Sequence, residues 1–278
     1  MHSFYQYTDE FLHLHHHIDF HPKDEDFVMH VHDHYEIAYF IQGSGVFLVE
    51  GNTYPLTPGS VLLMRPTESH RIKILENKPY ERYVVHFYPE ILEQTDPSHL
   101  LLEPFLNHPL GCRNLYVPGD FPKGNILDFI KAMCKPDESL QVQRLSVVSN
   151  LLPLLNEIRE IFTRKITEKD DGTARPKTHQ IIDYVNHHLT DALSVETLAS
   201  RFFLSPSQFS RIFKQATGSS VWSYITIKRL MVARNQIQNG VQPTDAATTS
   251  GFRDYSCFYR AYVKRFGRTP KQDINKNN

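Results

Sequence analysis

Cysteine is scarce. The 278 residues hold three, Cys112, Cys134 and Cys257, an odd number at wide intervals. They offer neither a disulfide framework nor a CxxC zinc pattern, and a reducing compartment, the cytoplasm, is expected. Long apolar runs are also missing. None approaches the ~18 residues that a membrane helix requires, so no membrane partner is expected. At the N-terminus, acids and histidines stand where a secretory signal would have basic and apolar regions. Twelve glycines are too few for a collagen-like chain. With 40% hydrophobic and 22% charged residues, the composition is that of a globular protein. The length suits two domains, each with a core of its own.

The net charge of -1 hides an asymmetry. Residues 178–278 carry 13 Lys/Arg against 6 Asp/Glu, whereas residues 1–177 carry 17 against 25. A chain that is acidic in front and basic behind points its rear half at a polyanion.

Local pattern divides the chain in the same place. Residues 27–88 read as short strands with turn punctuation: 36–41, 46–49, 60–64 and 84–88, separated by Gly43, Gly51 and Pro58-Gly59. Strands at this spacing indicate a barrel or sandwich. Beyond Pro122, apolar residues fall at helical spacing from Ile126 to Met133 and from Leu145 to Ile161, with Pro153 as a kink. These helices are expected to pack on the barrel or on a second subunit. Residues 166–177, polar with Gly172 and Pro176, read as a linker. The expected organisation is a first domain over 1–165, the linker, and a helical domain over 178–278. The tract His13-Leu-His15-His-His17 reads as an exposed N-terminal arm, although its composition also suits metal.

The helical third carries the sharpest signal. Ser194 is an N-cap before an apolar-periodic helix. A short turn at Phe203-Leu204 follows, and then Ser205-Pro206, an N-cap with Pro at the first helical position. The second helix sets Phe209, Ile212 and Phe213 on one face and Ser207, Ser210, Arg211 and Lys214 on the other, before Gly218 closes it. That is a helix-turn-helix unit. A similar unit recurs some 49 residues later. Thr244 is the expected cap of its first helix, Gly251-Phe252 its turn, and Asp254 the cap of a helix closed by Gly267. Phe258, Tyr262 and Phe266 face its core, while Ser256, Tyr259, Arg260 and Lys264 face out. Between the units, Val221 to Gln238 reads as one continuous helix.

Over residues 178–272 this sequence resembles the AraC family of transcription regulators. The resemblance rests on Leu198-Ala199, Phe209-Ser-Arg-Ile-Phe-Lys214, Gly218, Tyr224-Ile225, Arg229-Leu230, Ala233, Ala247, Gly251-Phe252, Phe258-Tyr-Arg-Ala-Tyr262, Lys264, Gly267 and Thr269-Pro270. The chain departs from the family pattern at Ala246-Ala247, Tyr262-Val-Lys264 and Asp273-Ile274, which is expected to soften packing and phosphate contacts in the second unit. The resemblance implies that Ser207, Ser210 and Arg211 of the first unit, and Tyr255, Ser256, Tyr259 and Arg260 of the second, reach base edges. Arg suits the O6/N7 edge of guanine. Lys214 and Lys264 suit phosphate.

In the first domain, His30-Val-His32, Glu36 and Gly43 resemble the first cupin motif, and Gly59, Pro66 and His70 a shortened second one. His30 and His32 share one face of a strand by its period of two. Three imidazoles and a carboxylate suit a first-row metal. In sensors of the AraC family, the resemblance implies instead that such a pocket holds a small organic effector, with Arg65 at the rim for an anionic or sugar ligand. The fold class that follows is α+β multidomain: a cupin-like β-barrel with C-terminal helices, then an all-α double helix-turn-helix domain. The function that follows is a ligand-responsive DNA-binding regulator, an activator of a carbohydrate operon. Its partners are double-stranded operator DNA, a small-molecule effector with a sugar foremost, a second copy as homodimer, and RNA polymerase. No cofactor and no enzymatic activity are expected; the alternative is a metal-dependent cupin enzyme fused to a DNA-binding domain.

Overall fold

A computed structural model describes residues 2–122, 125–136, 139–167 and 177–274. The chain divides into two compact units. The first comprises Met1–Val28, His34–Val49 and Thr53–Ala174; the second comprises Arg175–Asn278 together with Met29–Asp33 and Glu50–Asn52. Most of the expected linker, residues 168–176, lies outside the described residues.

The first unit is β-rich. Its strands are β1 (His2–Thr8), β2 (Leu12–Asp19), β3 (Tyr35–Gln42), β4 (Gly45–Val49), β5 (Asn52–Pro55), β6 (Val61–Met64), β7 (His70–Ile74), β8 (Tyr80–Phe87) and β9 (Leu115–Tyr116). A short helix α1 (Glu103–Leu106) precedes β9, and α2 (Ile126–Met133) and α3 (Leu140–Thr167) follow it. The described strands form two sheets, a six-stranded one in the order β1-β2-β8-β3-β6-β9 and a three-stranded one in the order β5-β4-β7. The expected barrel is therefore a pair of sheets, with no closed ring among the described strands.

Alternation along the strands explains the layering. Leu14, Ile37, Leu63, Val85 and Phe87 turn one face of the large sheet toward Ile126 and Ile130 of α2 and Val147, Leu151, Leu154 and Ile158 of α3. Ala38, Phe40, Leu62, Met64 and Val84 turn the other face toward Phe47, Val49, Ile72 and Ile74 of the small sheet. The helices beyond Pro122 thus cover a sheet face, as one of the two expectations had it. Pro153 lies inside α3, which continues through it.

The N-terminal histidine tract is not an exposed arm. It is β2, hydrogen-bonded to β1 on one side and β8 on the other. Leu12, Leu14 and Ile18 are buried in the helix-facing core, so the intervening histidines at 13, 15 and 17 take the face toward the small sheet.

The second unit is helical: α4 (Lys177–His187), α5 (Val195–Arg201), α6 (Pro206–Thr217), α7 (Val221–Gln238), α8 (Pro243–Thr249), α9 (Tyr255–Phe266) and α10 (Pro270–Ile274). Two cores alternate along it. Ile181, Leu198, Phe209, Phe213 and Tyr224 pack α4–α6 on the first half of α7; Leu230, Ala233, Ala247, Phe258 and Tyr262 pack α8 and α9 on the second. Thr244 does not cap α8. The helix starts two residues earlier, with Gln242 at the N-cap position and Pro243 in the first turn, because a proline with fixed φ and no N–H is suited to a helix start.

Candidate DNA-binding surface and effector site

Each recognition helix is fixed at both ends by local chemistry. Ser205 Oγ accepts from Gln208 N at 3.3 Å while Gln208 Oε1 accepts from Ser205 N at 3.0 Å, a reciprocal capping box. At the other end of α6, Gly218 takes φ +71°, the left-handed conformation that ends helices. Asp254 Oδ1 accepts from Cys257 N at 2.7 Å to start α9, and Gly267, at φ +68°, ends it.

With Phe209 and Phe213 buried on α6, and Phe258 and Tyr262 on α9, the opposite faces are left to solvent. Ser207, Arg211 and Lys214 are exposed and Ser210 is half-buried. On α9, Tyr255, Ser256, Tyr259, Arg260 and Lys264 are all exposed. Arg211 and Lys214 enter no ion pair among the described residues. Arg260 has a weak hydrogen bond, 3.5 Å, to Cys257 Sγ on its own helix. Two polar and basic helix faces are therefore presented on one unit, braced by the 18 residues of α7. At 1.5 Å per residue α7 is ~27 Å long, near the ~34 Å that separates adjacent major-groove turns.

Two bracing groups were not foreseen. Arg229, on α7, donates from Nε to the Leu189 carbonyl at 2.6 Å and from NH2 to the Asp191 carbonyl at 2.8 Å, tying down the loop after α4. Asp273, fully buried at the start of the last helix, accepts from Tyr262 Oη at 2.5 Å and from Arg234 Nε at 3.2 Å. Burial and then the bond to Asp273 push the Tyr262 phenol pKa well up. The position at which the family pattern departs thus carries a buried carboxylate that links α7, α9 and α10, instead of softening their packing.

In the first unit the polar groups gather on the face between the sheets. Glu36 on β3 lies opposite His86 on β8 in the strand register, and its Oε2 is 3.0 Å from His86 Nε2 and 3.4 Å from His70 Nε2. His70 is fully buried, with Nδ1 2.8 Å from the Glu68 carbonyl. Burial alone would lower its pKa, but the charge and hydrogen bond of Glu36 and the Glu68 carbonyl outweigh it, so the net shift is upward. His30, exposed, and His32, half-buried, belong to the second unit. Of the four residues expected from sequence, Glu36 and His70 are brought together within the first unit. Three imidazoles and one carboxylate suit a first-row divalent ion. The shared Oε2 of Glu36 equally suits a hydroxyl donor on an organic ligand.

Arg65 is not brought to this group. Its NH1 donates to the Leu106 carbonyl at 3.2 Å, and its Nε lies 4.0 Å from Glu68. Glu68, itself fully buried, accepts from Gly111 N at 2.7 Å and from Asn114 Nδ2 at 2.8 Å, a net that locks the loop before β9. His86 was missed. Only the pairing of β8 with β3 brings it to Glu36, and residue spacing alone carries no sign of that pairing.

Residues 15–146 match the AraC-like ligand binding domain, and residues 198–276 match a helix-turn-helix domain. The chain belongs to the AraC family of transcription regulators. It is similar to the HTH-type transcriptional activator RhaS of Escherichia fergusonii, 24% identical over an alignment of 271 positions that covers 92% of this chain and 95% of that one. RhaS of Yersinia pestis is 26% identical over 253 residues, 88% of each chain. Among solved structures, ToxT from Vibrio cholerae O395 aligns over 96% of this chain and 98% of its own, at 11% identity and a TM-score of 0.38. As an AraC-family protein, this chain is a ligand-responsive DNA-binding regulator: its partners are DNA at the helical unit and a small-molecule effector at the β-rich one. Among the described residues no helix is long and apolar enough to cross a membrane.

Proposed function

We propose that this AraC-family chain is a cytoplasmic activator of a carbohydrate-utilisation operon, that its effector is a sugar, and that it catalyses no reaction. The observation that carries the effector reading is the net of Glu36, His70 and His86 on the inner sheet face. It combines an acceptor carboxylate with imidazoles that donate or accept, beside Phe47, whose ring stacks on His70 at 5.9 Å, and Met64, opposite Glu36 in the strand register. A hydroxylated ring with one apolar face meets both requirements. Arg65, committed elsewhere, is left out of it. Activation is supported by the similarity to RhaS, an HTH-type transcriptional activator.

At the helical unit, Ser207, Ser210 and Arg211 would read one major-groove segment and Tyr255, Ser256, Tyr259 and Arg260 the next, with Lys214 and Lys264 on phosphates. Homodimerisation through α2 and α3 is supported by Leu140, Val142 and Leu145, which are exposed at the start of α3. A dimer would double the recognition helices on paired half-sites and set the spacing for RNA polymerase. The effector shifts activity only by binding one arrangement of the protein better than another.

Selection of sites from random DNA by the full-length protein, with and without a panel of sugars, tests this reading. The expected result is a bipartite motif with elements about one helical turn apart and a recovery that one sugar changes. Glu36→Gln should leave the motif intact and abolish the sugar effect. Enrichment of no sequence in either condition would overturn the regulator reading. The rival, a metal-dependent cupin enzyme, draws on the resemblance of His30, His32, Glu36 and His70 to the cupin motifs. It requires stoichiometric metal lost in His30→Gln/His32→Gln, and DNA selection indifferent to every sugar.

A further inference from the structure

We propose that His13, His15 and His86 form a divalent-metal site of the zinc class on the inner face of the large sheet, distinct from the His30, His32, Glu36 and His70 group. The register makes this site. His13 on β2 lies directly opposite His86 on β8, and His15 follows two residues along the same strand, so all three rings project from one face. Their ring centroids are 5.4, 5.6 and 5.8 Å apart, nearly an equilateral triangle. One ligating atom from each lies within 4.8 Å of the other two. Zinc–nitrogen bonds of ~2.0–2.1 Å bring such atoms closer by a modest side-chain adjustment.

The surroundings suit a cation that imidazole binds. His13 Nδ1 is 2.6 Å from the Thr8 hydroxyl, and His86 Nε2 is 3.0 Å from the Glu36 carboxylate. A partner on the far ring nitrogen is what orients a metal-ligating histidine and raises its basicity. His15 Nδ1 is buried with no hydrogen-bond partner, a costly state for a polar atom that coordination would relieve. Burial, with His17, His86, Arg82 and His13 nearby, pushes the His15 pKa down to about 2, and burial lowers that of His13 as well. Arg82, opposite His17 in the register, bounds the site and leans on the Tyr80 ring at 4.6 Å. Three imidazoles with a fourth position for water match a borderline metal such as Zn2+; a hard ion such as Mg2+ would need oxygen ligands.

The experiment titrates chelator-stripped full-length protein with Co2+, read by the visible absorption of a tetrahedral centre, and with Zn2+ by chelator competition. Three proteins are compared: the unaltered chain, His13→Gln/His15→Gln, and His30→Gln/His32→Gln. The expected result is a tetrahedral Co2+ spectrum that survives in the second variant and is lost in the first, with Zn2+ affinity weakened there by more than about tenfold. Single His13→Gln, at a half-exposed position, serves should the double variant fail to fold. In the unaltered chain, Zn2+ should also shield His13, His15 and His86 from carbethoxylation while exposed His187 stays reactive. A spectrum lost only in His30→Gln/His32→Gln, or no binding by the unaltered chain, would overturn the proposal.

Discussion

Arg211 and Lys214 stand one turn apart on the exposed face of α6 and should fail in different ways when removed. A guanidinium that pairs with guanine carries sequence information; an ammonium on phosphate carries only attraction. Arg211→Ala is expected to weaken binding to the selected operator by about 1–3 kcal/mol and to relax preference at one base position. Lys214→Ala should weaken operator and random DNA alike. Equilibrium binding to the operator and to single-base variants of it separates the two. Should Arg211→Ala weaken all sequences equally, base readout by α6 would be lost from the account. The cysteines supply a second test without any substitution. Burial pushes the Cys134 thiol pKa up to about 12, so it stays protonated at neutral pH, whereas Cys257 is exposed on α9. Alkylation near neutral pH should mark Cys257 well before Cys134, and operator DNA should slow the reaction at Cys257. Labelling of Cys257 that is indifferent to DNA would place α9 outside the interface.

At the scale of elements, the second helix-turn-helix depends on one turn. Gly251 has φ +92°, and a Cβ there would meet Thr190 Cα at 2.9 Å and Arg229 Nε at 3.0 Å. Gly251→Ala adds a left-handed strain of about 1–2 kcal/mol to a clash with the loop that Arg229 secures. Ser205→Ala, by contrast, removes one cap and should cost about 1 kcal/mol. Denaturant unfolding should rank Gly251→Ala as the more damaging; the reverse order would mean that the loop after α4 yields easily. These helices were legible because caps, closing glycines and apolar spacing all act within a few residues. Val221–Gln238 was bounded correctly from sequence for that reason. What was not legible depends on strand pairing. Leu12, Leu14 and Ile18 do alternate, but His16 interrupts the pattern, and the tract reads as polar until its neighbours are known. In the sheet His16 is held by Glu81 at 2.8 Å and stacks on Tyr83. The site follows the same rule. His30, His32, Glu36 and His70 were visible as a spacing, while His86 meets Glu36 only through the register of β8 and β3, and His13 meets His86 only through that of β2 and β8.

For the whole molecule, charge decides how binding responds to salt. The chain as a whole is nearly neutral at -1, so bulk attraction to DNA is negligible and the basic helical third must supply it locally. Counterion release makes log K fall linearly with log salt, with a slope of about 0.9 per neutralised phosphate. If Lys214 and Lys264 each neutralise one phosphate, Lys214→Ala/Lys264→Ala should flatten that slope by about 2 while leaving the preferred sequence unchanged. The unaltered protein and the double variant are compared by operator binding across a salt series. A slope unchanged by the double substitution would remove both lysines from the backbone. An altered sequence preference would move them from phosphates to bases, and the specific contacts would then have to be shared among more of α6 and α9 than Arg211 and Arg260.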